Sequence, residues 1–176
     1  HRLDLSATFL LGFAAVLIAW GSYQSTLWGG VQDGLLTESV NTTTQATDLL
    51  QQADTIRSLD QVLFVELFSS GVCEEEGDGA ICDQIFANMS ADGVAAVEAW
   101  LTNDDLAPFG DDYDDALYTE GEALLGDADE LFVLAGEANS NGDDYSMAIT
   151  LLTVTLFFTG LSVTITASRY RTTMLL

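Results

Sequence analysis

The sequence predicts an all-α protein in which two transmembrane helices flank an extracytoplasmic antiparallel helical bundle. Three observations lead there. First, residues 9–28 (FLLGFAAVLIAWGSYQSTLW) and 147–167 (MAITLLTVTLFFTGLSVTITA) are long apolar runs, and no charge occurs between Asp4 and Asp33 or between Asp144 and Arg169. A membrane-crossing helix needs about 20 mostly apolar residues, because its rise must match a hydrocarbon core of roughly 30 Å. Second, 27 of the 28 acidic residues fall within 33–144, where Arg57 is the only base. Third, apolar residues between the two runs recur at spacings of three and four, the period of an amphipathic helix. No alternating pattern there is long enough for a sheet. The predicted division is a cytoplasmic N-terminus at 1–8, a first span at 9–30, an acidic extracytoplasmic domain at 31–144, a second span at 145–168 and a cytoplasmic C-terminus at 169–176.

The orientation follows from the remaining bases. Arg2, Arg169 and Arg171 flank the outer ends of the spans. By the positive-inside rule both termini of this two-pass cell-membrane protein are cytoplasmic and the middle is outside. The chain does not begin with Met, so His1 is not expected to be the translated start. The length of the first run and its lack of a small-residue cleavage site argue for an anchor rather than a signal peptide.

In chain order, the first span opens after a polar tetrapeptide. Its far end carries Trp20, Tyr23 and Trp28. Such rings sit at the headgroup level, apolar body inward and polar tip outward. Gln24, one turn beyond Trp20, needs a partner on another helix or must reach the interface. Gly29-Gly30 permits a bend, and a continuous helix is the alternative. Residues 31–68 read as a long amphipathic helix, with Val31, Leu35, Leu36 and Val40, then Leu49, Ala53, Ile56, Leu59 or Asp60, Leu63 and Leu67 on one stripe. Gly71 is its stop signal.

Cys73 and Cys82 bound the loop CEEEGDGAIC. In an oxidising compartment this pair predicts a disulfide. Zinc is the rival, but two thiolates without a nearby histidine make a poor site. A short helix is expected over 83–89. Ser90 is a candidate N-cap for a helix over 91–102, with Val94, Val97, Trp100 and Leu101 on one side. Residues 103–112 contain the sole proline and read as a turn-rich connection. A further helix is expected over about 113–138, its start crowded by Asp111, Asp112, Asp114 and Asp115, where the helix dipole favours negative charge. Asn139-Ser140-Asn141-Gly142 interrupts or kinks the path in this reading, and Asp143 and Asp144 cap the second span. That span holds six threonines, at 150, 153, 155, 159, 164 and 166. Their hydroxyls can bond their own backbone, so they need not line a pore.

The formal charge of −24, with no lysine at all, bounds the partners. Such a surface repels nucleic acid and anionic headgroups and associates weakly with cations. The missing lysine favours salt adaptation in a halophile over an ordinary acidic extracytoplasmic domain or a specific acidic docking surface. The acidic cluster at 104–115 lacks the ligand spacing and terminal Glu of a calcium loop, as does Asn139–Asp144, so no metal site is assigned. Two sequons, Asn41-Thr42-Thr43 and Asn88-Met89-Ser90, mark candidate glycosylation sites in the outside segment.

Catalysis finds no footing. The one histidine is His1, and there is neither a nucleophile elbow nor a phosphate-binding loop. No catalytic residue and no cofactor is assigned, and a non-enzymatic protein is expected.

Trp20-x-x-Tyr23-Gln24-x-x-x-Trp28-x-Gly30 resembles the first-span signature of a group of uncharacterised prokaryotic two-span membrane proteins. In the second half, Asp143-x-Tyr145 and Leu156-Phe157-Phe158-x-Gly160 are similar to the same group's junction and second span. The resemblance covers both spans and their junctions, and implies topology but no activity. Small residues on the spans, Gly12, Ala14, Ala15 and Ala19 with Gly160 and Ser162, suit close helix association. With two helices only to bury Gln24, the bilayer and a larger assembly are the expected partners, either a homo-oligomer or another membrane protein. The resulting expectation is an accessory or scaffold subunit displaying an acidic domain. The alternatives are a sensor module, which a signalling domain beyond Leu176 would mark, and a small oligomeric cation channel.

Overall fold

The computed structural model describes residues 2–73, 78–102, 108–110, 113 and 116–164. Among these residues the chain forms four helices and no strand: α1 (Arg2–Ser70), α2 (Gly79–Asn88), α3 (Ala91–Thr102) and α4 (Ala116–Thr164). Two of them, over Thr8–Ser70 and Ala116–Ser162, are long and apolar enough to cross a membrane.

Helix α1 runs without interruption through Gly29-Gly30, so the continuous alternative holds there. Helix α4 corrects the sequence reading. Asn139–Gly142 neither breaks nor kinks the path, and Asp143 and Asp144 lie inside the helix rather than capping one. Polar residues and glycine weaken a helix by up to about 1 kcal/mol each, which packing overrides. Here Ala135 and Ala138 are buried on the same helix. Asn139 Nδ2 donates to Asp143 Oδ2 at 3.2 Å, one turn along. Gly142 faces the Cβ of Trp28, 3.6 Å from where its own Cβ would be. Helix α2 starts at Gly79, earlier than expected, because Asp78 caps it by accepting the N–H of Ala80 at 3.1 Å. Helix α3 has its expected bounds. The expected dipole role of Asp111, Asp112, Asp114 and Asp115 lies outside the described residues, as does most of the 104–115 cluster.

The chain divides into two compact units. Unit 1 comprises His1–Ser39 and Asp129–Leu176. Within it Gly21 lies against Ile149, Ser25 Oγ is 3.0 Å from Ser146 Oγ, and Trp28 lies against Gly142. Ascending positions on α1 therefore meet descending positions on α4. Gly21 is buried there, and a Cβ on it would stand 3.0 Å from Ile149 Cγ1, so its small size sets the close approach.

Unit 2 is Val40–Ala128. Its buried apolar residues are Ala46, Ala53, Ile85, Met89, Val97 and Ala128. Gly121 packs where a Cβ would come within 2.8 Å of Leu50 Cγ, which brings the start of α4 close to α1 within this unit. The Cys73–Cys82 disulfide forms, tying the end of α1 to α2.

Candidate functional site

Two arrangements in unit 2 stand out. The first centres on Asp60, which is fully buried on α1. Its carboxylate accepts the backbone N–H of Ser90 at 2.9 Å, the Ser90 hydroxyl through a short bond, and the Tyr113 hydroxyl at 3.3 Å. Ser90 Oγ in turn accepts the N–H of Gly93 at 2.9 Å, so Ser90 is the N-cap of α3 that the sequence announced. Asp60 thus holds the positive end of α3, where a carboxylate is favoured.

Arg57, one turn earlier on α1, does not pair with Asp60. It donates from Nη2 to the Phe109 carbonyl at 2.6 Å, and its guanidinium carbon lies 5.5 Å from the Tyr113 ring centroid. The single base of the acidic segment is therefore spent on fixing Phe109 and Tyr113 to α1. A buried charge is tolerated only when hydrogen-bonded, and Asp60 has its donors. Being wholly enclosed, it offers no face to a substrate. Its chemistry is architectural: α1, α3 and Tyr113 are tied to one carboxylate.

The second arrangement is aromatic. Phe64 meets Trp100 edge-on at 5.3 Å and Phe109 at 5.7 Å, while Phe68 meets Trp100 at 5.4 Å. Edge-on pairs of this kind each add about 0.5–1.5 kcal/mol beyond area burial. Phe64, Val65, Phe68, Ser69 and Trp100 line an open apolar groove beside the cluster.

The residues singled out in the sequence are placed as follows. Trp20 meets Tyr145 edge-on, ring centroids 5.6 Å apart at 79°. This contact joins one residue from each of the two span signatures. Tyr23 is exposed, Trp28 is half-buried against Gly142, and Gly160 is half-buried with nothing within 4 Å of a built Cβ. Gln24 is half-buried and has no hydrogen-bond partner among the described residues. Asn41 and Asn88 are both exposed. Among the described residues no group of three or more His, Cys, Asp or Glu is placed to hold a metal ion, and Asn139–Asp144 is helical rather than a loop.

No protein-family model, curated protein or solved structure matches the chain.

Sequence reasoning missed the Asp60 arrangement. Asp60 stood as an alternative to Leu59 on an apolar stripe, and its donors lie 30 and 53 positions away. The one available signal was an acid on that stripe followed by a candidate N-cap serine, and neither pointed to the other.

Proposed function

We propose that this chain is a non-enzymatic accessory or scaffold subunit of a larger membrane assembly, displaying an acidic, antiparallel helical domain outside the cell. The observation that carries the membrane part is exposure. In each candidate span 11% of the apolar window is buried. Phe9 is 74% exposed, Val16 66% and Phe157 61%. The core helix of a water-soluble protein would hide such residues. Here they demand lipid or another helix, since burying each is worth about 1.5–3 kcal/mol.

The assembly part rests on Gln24, whose amide lies in the first apolar run without a hydrogen-bond partner among the described residues. A carboxamide in or near lipid is stabilised by a hydrogen bond from a neighbouring helix. Arg2, Arg169 and Arg171 support cytoplasmic ends, and the disulfide supports an oxidising compartment for unit 2.

The threonine-rich second span lends little to a channel. Thr150, Thr153, Thr155 and Thr159 each donate to a carbonyl four residues earlier in their own helix. Their hydroxyl protons are already engaged.

Labelling tests the topology. A Gln51→Cys variant in intact cells should react with a membrane-impermeant maleimide, because Gln51 is exposed in unit 2. Reaction only after the cells are broken would overturn the outside placement.

A further inference from the structure

The two sequons have the same sequence logic but different backbones, and the difference selects one of them. We propose that Asn88, and not Asn41, is the N-glycosylation site of this protein. The proposal rests on the outside placement of unit 2. The modification joins the Asn88 amide nitrogen to C1 of an oligosaccharide activated as a lipid-linked phosphate ester. The C1–N bond forms, the C1–O bond to phosphate breaks, the phosphate leaves with the bonding pair, and the amide gives up one proton.

Transfer needs the asparagine amide and the hydroxyl two residues on to be brought together. In a helix, side chains at i and i+2 do not face each other. Asn41 and Thr43 lie deep within α1, whose backbone is helical from Arg2 to Ser70. The first span must be helical in lipid, since every backbone group has to be satisfied internally. The helix then propagates past residue 41 without a fresh nucleation cost. The Asn41 sequon is therefore locked in the wrong geometry early.

Asn88 is the last residue of α2. Met89 follows with φ −73° and ψ 154°, an extended conformation, so the backbone leaves the helix inside the sequon. Helix α2 has ten residues, too few to be stable before it packs. In the nascent chain Asn88-Met89-Ser90 is thus open. In the folded protein Ser90 Oγ is held by Asp60, so transfer precedes the docking of α3 on α1.

The finished fold accommodates the sugar. The Asn88 side chain is exposed, and its Nδ2 donates a single hydrogen bond, to the Gln84 carbonyl at 2.8 Å. A glycosylated amide keeps one N–H, so that bond survives.

The test is peptide mass analysis of the protein taken from its native membrane. Trypsin is unsuited, with Arg57 the only base in 33–144, but cleavage before aspartate releases 33–47 and 83–91. The expected result is 83–91 heavier by whole sugar residues on Asn88 and 33–47 at its bare mass. Asn88→Gln and Ser90→Ala should abolish the added mass, and Ser90→Thr should retain it. A bare 83–91 overturns the proposal, as does sugar on Asn41. The Gln51→Cys label separates the causes. If it reacts in intact cells while 83–91 is bare, glycosylation fails and the outside placement stands. If it does not react, the placement itself has failed.

Discussion

The carboxylate of Asp60 accepts the backbone N–H of Ser90 at 2.9 Å across 30 positions of sequence. That bond, with the Ser90 and Tyr113 hydroxyls on the same carboxylate, ties α1 to the start of α3 and to Tyr113 within the acidic segment. Asp60→Ala should leave the partly buried Ser90 N–H without its acceptor. A buried orphan of this kind costs about 1–3 kcal/mol. The denaturant midpoint of the variant should fall accordingly. An unchanged midpoint would show that Asp60 does not hold α3.

Ser90→Ala removes a cap as well as a donor to Asp60. Cap loss alone costs about 1 kcal/mol. Because both residues serve one arrangement, the Asp60→Ala, Ser90→Ala double variant should lose less than the two single losses added together. Strict additivity in a double-mutant cycle would deny the coupling.

Two glycines should respond with opposite sign. A methyl at Gly93 would overlap the Asp60 carboxylate, whereas one at Gly126 would have nothing within 4 Å. Gly93→Ala should therefore destabilise by about 1–3 kcal/mol through overpacking, despite alanine's better helix propensity. Gly126→Ala should stabilise by up to about 1 kcal/mol. Thermal melts of the two variants side by side check both signs.

The disulfide closes a short ring, its cysteines nine positions apart in sequence. The loop-entropy model gives about 3 kcal/mol for a ring of this size. Replacing Cys73 and Cys82 together by serine should lower the melting temperature, and reduction of the native protein should lower it similarly. An unaltered melt after confirmed reduction would contradict this.

Tyr118 carries a pH signature. Its hydroxyl donates to Glu122 Oε1 at 3.2 Å. That bond, and then the charge of Glu122, raise the phenol above the ordinary tyrosine value. The folded state thus holds this proton more tightly than the unfolded chain. The associated stability is complete below the unfolded tyrosine pKa and is lost as pH rises through the higher folded value. Glu122→Gln should move one phenolate absorbance transition to lower pH, and no shift would rule out the contact.

Much of the fold was legible because a run long and apolar enough to cross a membrane has little choice but helix. Charge-free apolar runs and flanking arginines mark the candidate spans, and Ser90 announces the start of α3. The Cys73–Cys82 pair was readable from its spacing and company. Legibility stopped where distant contacts decide. Asn139–Gly142 looks like a breaker by local propensity, yet α4 continues because Gly142 can pack against Trp28. Trp20 and Tyr145 were noticed separately, but only the folded pairing brings their rings together. Asp60 was invisible as an anchor because its donors come from two distant segments.

Native mass analysis of the protein, extracted gently from its own membrane, asks whether this chain works as part of an assembly. The expected result is a species of defined stoichiometry, in which this chain is joined by another membrane protein or by further copies of itself through the span that carries Gln24. A stable single chain in mild detergent, with nothing bound to it, would rule out a subunit role.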